Sequence, residues 1–353
     1  MMERTLLSQK IKTDRELIAT NTFELQMAKM PELMKRYSAR QLDKTQQDIR
    51  YHIQFLIEAV SAKSPVLFAN YLLWLKEILD NLGLPPEDLK MSIHYLADTL
   101  RGLYGADYEQ DIAPIIKDGL KKLEITEVHT ETFLKAGLAH TELAKRYLAA
   151  LLTGDRHQAN EMIQAAVKSG TPIKEIYLQV FQNTQYEIGR LWQIGQITVA
   201  QEHYCTAASQ FIMAQLYPYI FTVPNQGITV LATCVGKELH EIGLRMVTDL
   251  MELSGLNTYY LGANVPTASI ISAINQEQAD ILAISATMTF HVSEVKALID
   301  QIRTVEGGQD IKIMVGGYPF NIDGNLWKHV GADGYAADSE TAVLLAYDLA
   351  KRS

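Results

Sequence analysis

The spacing of apolar residues divides the chain into two parts. Over roughly the first 220 residues, apolar side chains recur at steps of three and four, as in Tyr51–Val60 and Leu67–Leu82, which is the period of helices that bury one face. From Gly227 onward, short apolar runs alternate with helical stretches. Apolar strands separated by helices are typical of a parallel sheet covered on both faces.

Start and stop signals divide the helical part further. Gly83 ends one helix, Gly170-Thr171-Pro172 ends a second and begins a third, and Thr198 is a predicted N-cap, as expected for glycine after helices and threonine before them. We predict an all-helical domain over residues 1–125 and a four-helix bundle over residues 126–224.

Five apolar runs predict the strands of a third domain, residues 225–353. They are GITVLATC, TYYLG, DILAIS, IKIMVGG and DGYAA. Their alternation with helices predicts a flavodoxin-like (Rossmann-like), five-stranded parallel α/β domain, so the predicted fold class is α + α/β. Ligands of such sheets bind beyond the carboxyl ends of the strands.

Composition and charge exclude several classes of protein. The 353 residues carry a formal net charge of -9, which argues against a DNA-binding surface. The only cysteines are Cys205 and Cys234, too few for a disulfide framework. The sequence has no apolar signal core and no apolar run long enough for a bilayer. We expect a cytoplasmic protein with no direct DNA or membrane partner.

The candidate chemistry lies in Glu238-x-His240-x-x-Gly243, which follows the first predicted strand and opens a helix predicted over His240–Leu253. A carboxylate at this distance can accept a proton from one imidazole nitrogen, which fixes the tautomer and leaves the other nitrogen for a metal. Gly243 lets a bulky group pass close to the backbone. His240 is therefore the candidate metal ligand.

Two further predicted strand ends carry small residues. Ser285 and Thr287 follow the third strand, and the pair Gly316-Gly317 ends the fourth. Together with the histidine loop they outline a narrow slot that suits a long, flat ligand tail.

These residues resemble the signature of the cobalamin-binding domain family. The resemblance implies that vitamin B12 binds with its benzimidazole tail displaced into the slot and that His240 is the lower axial ligand of cobalt. It also implies that Ser285 bonds the tail base and that Gly316 and Gly317 make room for it.

A second constellation lies in the predicted bundle, where Trp192 precedes the pair Glu202-His203 by nine residues. This pattern before a cobalamin domain resembles the bundle of CarH- and LitR-type B12 photoreceptors. The resemblance implies adenosylcobalamin, with Trp192 on the upper face and Glu202 and His203 beside it. Two departures matter: no MerR-type DNA-binding domain is found, and Gln193 stands where that family has a second axial histidine.

The segments DIRYHIQFLIEAV and LFANYLLWLKEIL resemble the helical region of photocobilins, which implies biliverdin as a second chromophore with ligands that no motif names. On these resemblances we expect a light sensor rather than an enzyme. The predicted partners are further copies of the chain, in a light-dependent dimer or tetramer, and an unidentified downstream protein.

Two alternatives stay open from the residues. A corrinoid methyl carrier of a methyltransferase system also pairs a helical bundle with this domain, but such carriers typically have Asp where this chain has Glu238, and Lys-Asn where it has Leu244-Arg245. An interaction module with a vestigial slot is the other alternative.

Overall fold

The protein is described by a computed structural model that covers residues 2–124 and 131–351. The chain forms two compact units. Unit 1 comprises Met1–Val128, Met288–Ser293 and Asn321–His329, and unit 2 comprises His129–Thr287, Glu294–Phe320 and Val330–Ser353. The predicted domain limits near residues 125 and 224 stay predictions.

Unit 1 is built mainly from helices of the N-terminal region. Between residues 2 and 124, seven α-helices, α1 to α7, span Met2–Thr13, Arg15–Lys29, Pro31–Arg36, Ala39–Ala62, Pro65–Asn81, Pro86–Tyr104 and Ala113–Leu123, with a π-helical turn at Tyr108–Ile112. α4 begins at a capping box, in which the side chain of Ser38 accepts from the backbone N of Gln41. A reciprocal cap of this kind satisfies two N–H groups that the first turn leaves unpaired.

Aromatic packing fills the core of unit 1 between α4 and α5. Phe55 stacks on Tyr71 with ring centroids 3.7 Å apart, and Nδ1 of His52 lies 2.8 Å from the hydroxyl of Tyr71. Burial lowers the pKa of His52 to about 3, so this imidazole is neutral and belongs to the core.

Unit 2 begins with the predicted bundle. Its helices are α8 (Thr141–Leu152), α9 (Arg156–Lys168), α10 (Ile173–Glu175), α11 (Gln182–Gln193), α12 (Val199–Ala214) and the short α13 (Tyr217–Ile220), and a π-helical segment, Ile176–Phe181, joins α10 to α11. Thr198 caps α12 by accepting from Gln201 N, as predicted. The N-cap of α10 is Pro172 rather than Thr171, and no side-chain hydrogen bond caps this helix.

The remainder of unit 2 is the α/β part. Its strands β1 to β5 span Thr229–Cys234, Asn257–Gly262, Ile281–Ser285, Lys312–Gly316 and Gly334–Ala336. Helices α14 to α19 of the same stretch of sequence span Ile242–Leu253, Thr267–Gln276, Val292–Ile302, Tyr318–Ile322, Leu326–Val330 and Ser339–Ala350. The 3-10 turn at Thr289–His291 and most of α18 belong to unit 1.

The five strands are all parallel in the order β2-β1-β3-β4-β5, so the predicted flavodoxin-like sheet and the fold class are confirmed. The register pairs Cys234 with Ser285, and Ser285 with Gly316. The carboxyl ends of three neighbouring strands therefore lie side by side, at the edge where such sheets bind ligands.

The bundle and the α/β part of unit 2 share a core. Met246 and Leu250 of α14 are buried in the same apolar cluster as Tyr177 and Phe181. The hydroxyl of Tyr177 also donates to Asp249 of α14 at 2.8 Å. α14 follows the candidate metal-ligand loop directly, so the bundle packs on the element that carries that loop.

None of the described helices combines the length and the apolar character that a bilayer crossing requires.

Candidate functional site

His240 lies in an irregular loop between β1 and α14. The sequence placed it at the start of the helix, but α14 begins at Ile242. The reason is local, because Glu238 accepts from the backbone N of His240 at 3.0 Å. This bond holds the chain in a turn before the helix begins.

A buried carboxylate orients the imidazole. Glu238 is only 1% exposed. Its Oε1 lies 2.5 Å from Nδ1 of His240, and its Oε2 accepts from the backbone N of Thr287 at 2.7 Å. Since a buried carboxylate is costly without partners, Thr287 and His240 together stabilise it. Glu238 thus links the loop after β1 to the loop after β3.

The other imidazole nitrogen remains available. The His240 side chain is 56% exposed, and no described residue forms a hydrogen bond with its Nε2. A hydrogen bond at Nδ1 with an open Nε2 is the arrangement of metal-binding histidines in proteins. These residues therefore fit a cofactor that presents one open coordination position on its metal.

Two neighbouring carboxylates, Glu238 and Glu202, act on the pKa of His240. The hydrogen bond with Glu238 raises the pKa of His240, desolvation opposes the rise, and the charges of Glu238 and Glu202 add to it. Glu202, from bundle helix α12, is therefore within electrostatic range of His240. This brings one residue of the bundle constellation to the histidine loop.

The small residues at the strand ends allow close contacts between backbone segments. The backbone carbonyl oxygen of Ser285 accepts from the backbone N of Val235 at 3.2 Å. Gly317 has φ +102, and a Cβ there would lie 2.0 Å from the carbonyl oxygen of Ala286. Only glycine allows the backbones after β3 and β4 to approach so closely. A Cβ on Gly316 would lie 3.2 Å from the carbonyl oxygen of Ala336.

Gly243 differs from these glycines. It lies on α14 in the turn that follows His240, and a Cβ there would meet no atom within 4 Å. No packing among the described residues requires glycine at this position, so the open space beside it suits a ligand that passes close to the helix.

The bundle constellation lies across the α11–α12 connection. Trp192 is half-buried near the end of α11. Nδ1 of His203 lies 2.5 Å from Oε2 of Glu202, and the His203 side chain is 72% exposed.

Two groups of polar contacts were not predicted from the sequence. Glu241 accepts from the backbone N of Ala263 at 3.1 Å. The side chain of Asp249 accepts from Tyr177, and Arg245 donates to the hydroxyl of Tyr217 at 3.3 Å. Each contact joins elements that are distant in the chain, so no local motif indicates it.

Comparisons with known proteins show the family of the chain. A family model described as "B12 binding domain" matches residues 228–344, and a second model with the same description matches residues 143–217. Dimethylamine corrinoid protein 3 of Methanosarcina mazei is 30% identical over 127 residues, which are 35% of this chain and 73% of that protein. The chain belongs to the B12-binding corrinoid proteins.

Other relatives support the same family. The dimethylamine corrinoid protein of Methanosarcina barkeri is 33% identical over 125 residues, which are 35% of this chain and 56% of that protein. The solved structure of the Methanosarcina barkeri monomethylamine corrinoid protein covers 60% of this chain and 100% of its own, with a TM-score of 0.54 and 21% identity. That structure shares the fold of this corrinoid protein.

The predicted photoreceptor function is wrong. Relatives that match this corrinoid protein include dimethylamine and monomethylamine corrinoid proteins, which favours the methyl-carrier alternative over a light sensor. The prediction rested on Trp192, Glu202 and His203, which lie in a bundle that a B12 binding domain model matches as a whole. The match supports a B12-binding bundle and gives no support to photochemistry. The comparisons give no support to biliverdin, which was expected from the resemblance of the N-terminal segments to photocobilins, or to light-dependent assembly.

Proposed function

We propose that the chain is a corrinoid methyl carrier of a methyltransferase system. The observation that carries the proposal is a series of hydrogen bonds that joins the backbone N of Thr287, buried Glu238 and Nδ1 of His240. This series leaves Nε2 of the exposed His240 side chain available at the ligand-binding edge of the sheet. The names of the relatives support methylated amines as the source of the methyl group.

A bound corrinoid supplies a cobalt ion that takes up a methyl group and gives it up again. His240 would hold that ion through Nε2. Glu238 keeps the imidazole in one tautomer and one orientation, since its two oxygens are fixed by His240 and Thr287. A carboxylate in this position would also raise the basicity of the imidazole as a metal ligand.

The slot residues receive the nucleotide tail of the corrinoid in this proposal. Ser285 bonds the tail base, Gly316 and Gly317 border it, and Gly243 leaves room beside α14. The open space at Gly243 supports its assignment. The close backbone contact at Gly317 also gives that glycine a role in the apoprotein.

The bundle, residues 126–224, covers the upper side of the corrinoid in this proposal, and residues 225–353 hold its lower side. Trp192, Glu202 and His203 would lie beside the transferred group. A methyl group replaces the adenosyl group expected from the photoreceptor resemblance. The partners are two methyltransferases, one that loads the methyl group and one that removes it.

Dark methyl transfer tests this function. The full chain is loaded with methylcobalamin and incubated in the dark with a thiol acceptor and a corrinoid-linked thiol methyltransferase. We expect the methylated thiol, detected by mass spectrometry, to form at least about 10-fold faster than from His240→Ala, given the usual effect of a lost metal-ligand contact. A rate no greater than that of free methylcobalamin, equal in both proteins, would contradict the proposal.

A further inference from the structure

The residue after the proposed cobalt ligand reaches the end of a neighbouring strand. Oε2 of Glu241 accepts from the backbone N of Ala263, immediately after β2, at 3.1 Å. The same oxygen lies 3.1 Å from the position that a Cβ on Gly262 would occupy. The missing side chain at Gly262 therefore gives the carboxylate room to reach β2.

Glu241 has further partners on other elements. Its backbone carbonyl accepts from the hydroxyl of Tyr260 at 3.3 Å. Its Oε1 lies 3.5 Å from Nε2 of Gln210 on bundle helix α12. The side chain and the backbone of one residue are thus fixed from both β2 and the bundle.

These contacts join the loop after β1 to the ends of both neighbouring strands. β1 lies between β2 and β3 in the sheet, and the loop that follows β1 carries His240. Glu238 ties this loop to Thr287, after β3. Glu241 ties it to Ala263, after β2. An irregular loop with no ladder of its own is therefore held at both flanks, one carboxylate on each side of the histidine.

We propose that Glu241 is a positioning residue that sets the fraction of bound cobalt that His240 coordinates. The inference rests on the proposed role of His240 as cobalt ligand. Glu238 contacts the imidazole itself, whereas Glu241 acts only through the backbone of the loop. Removing the Glu241 contact frees one flank of the loop, so His240 spends less time within reach of the ion.

Matched variants at one position test this inference. Glu241→Met keeps the length of the side chain and removes both acceptor oxygens, and Glu241→Asp places the carboxylate one methylene short of Ala263. Glu241→Gln keeps an oxygen that can accept from Ala263 N. Glu306→Ala removes an exposed carboxylate from the loop before β4, at the opposite edge of the sheet, and serves as the control.

The readout is the electron paramagnetic resonance spectrum of the full chain saturated with reduced, Co(II) cobinamide. Cobinamide has no nucleotide base, so nitrogen splitting of the cobalt signal can come only from the protein. We expect the ratio of nitrogen-bound to nitrogen-free cobalt to fall about 10-fold in Glu241→Met and Glu241→Asp, the lower end of the usual effect of losing an outer hydrogen bond at a metal site. Glu241→Gln and Glu306→Ala keep most of the wild-type ratio.

The outcomes separate this inference from the proposed function. His240→Ala abolishes the splitting if His240 is the ligand, and unchanged splitting in that variant would overturn the proposed ligand itself. If His240→Ala abolishes the splitting while Glu241→Met and Glu241→Asp match wild type, the positioning role of Glu241 is overturned alone. An equal fall in the Met, Asp and Gln variants would also overturn it, because the contact with Ala263 would then not matter.

Discussion

Glu238 is the residue whose burial most constrains the site. It is 1% exposed, and the partners that the structure shows for its two oxygens come from His240 and Thr287. A carboxylate in this setting cannot turn without leaving a buried charge unpaired. The direction of the imidazole is therefore set by the protein before any cofactor binds.

Replacing this carboxylate should weaken corrinoid binding. In Glu238→Ala, Nδ1 of His240 and the backbone N of Thr287 lose their acceptor, and we expect the Kd for hydroxocobalamin to rise about 10- to 100-fold. Ultrafiltration binding measures the change. Glu161→Ala, which removes an exposed carboxylate on α9, should bind as wild type does, and an equal Kd in both variants would contradict the role of Glu238.

A second buried carboxylate predicts a pH-dependent stability. Burial raises the pKa of Asp249 from 3.8 to about 6, while Tyr177 and Arg245 oppose the rise. The folded chain therefore binds this proton more tightly than the unfolded chain. The stability that the proton gives is present below about pH 4 and is lost as the pH rises to about 6.

The variant Asp249→Asn keeps an acceptor for Tyr177 and stays uncharged. Its free energy of unfolding relative to wild type should therefore rise by about 3 kcal/mol between pH 4 and pH 7, the equivalent of about two pKa units. Urea denaturation at each pH measures this difference, with exposed Asp310→Asn as the control for a lost surface carboxylate. A difference that is constant across this range would exclude Asp249 as the source.

Distance along the chain explains which contacts the sequence could predict. Glu238 and His240 are two residues apart, so their spacing alone suggests the pair. Glu241 and Ala263 are 22 residues apart, and Tyr177 and Asp249 are 72 residues apart. These contacts depend on the order of strands in the sheet and on where the bundle packs, which no local pattern records.

At the scale of elements, the strands and the Thr198 cap could be predicted from neighbouring residues in the sequence. Each apolar run predicted for the sheet became a strand, and Thr198 caps α12, since β-rich apolar runs and capping boxes are satisfied locally. The start of α14 was placed too early because the bond from His240 N to Glu238 competes with the first helical turn. Functional loops of this kind deviate from propensity.

Two glycines of the site should respond in opposite ways to alanine. Gly317→Ala places a Cβ 2.0 Å from Ala286 O at a positive φ, and we expect the apoprotein to lose at least about 1–3 kcal/mol of stability. Gly243→Ala meets no atom within 4 Å, and in a helix it should add up to about 1 kcal/mol.

Urea denaturation of both apoproteins measures these changes, and ultrafiltration measures the Kd for hydroxocobalamin. Gly243→Ala should raise that Kd although it does not destabilise the apoprotein. If Gly243→Ala binds the corrinoid as tightly as wild type, the space beside Gly243 is not used by the ligand.

At the scale of the whole molecule, unit 1 gathers residues that are far apart in sequence. Buried Glu58 of α4 accepts from the backbone N of Ser293 at 3.0 Å and from its hydroxyl at 2.7 Å, although the two residues are 235 positions apart. Ser64 likewise donates to Asp323 at 2.6 Å. The helical N-terminal region is therefore tied to short stretches of the C-terminal sequence, which a division into consecutive domains does not anticipate. Homo-oligomer formation stays a prediction.

Loss of the Glu58 contact should loosen this unit. In Glu58→Ala the two donors of Ser293 lose their acceptor, which costs about 1–3 kcal/mol for buried groups. We expect faster hydrogen exchange over residues 288–293, measured by mass spectrometry. Glu24→Ala, an exposed position on α2, should leave that exchange unchanged, and equal protection in both variants would show that Glu58 does not hold the segment.

The central claim, that His240 coordinates the cobalt of a bound corrinoid, is tested most directly by isotope-labelled electron paramagnetic resonance. The full chain is produced with nitrogen-15 histidine, loaded with cobalamin of natural isotope content and reduced to Co(II). Coordination by His240 predicts that each cobalt line splits in two, because nitrogen-15 has spin one-half, and that His240→Ala loses this doublet. A threefold splitting, as the cobalamin's own nitrogen-14 base gives, or no splitting at all in the labelled wild type would contradict the account.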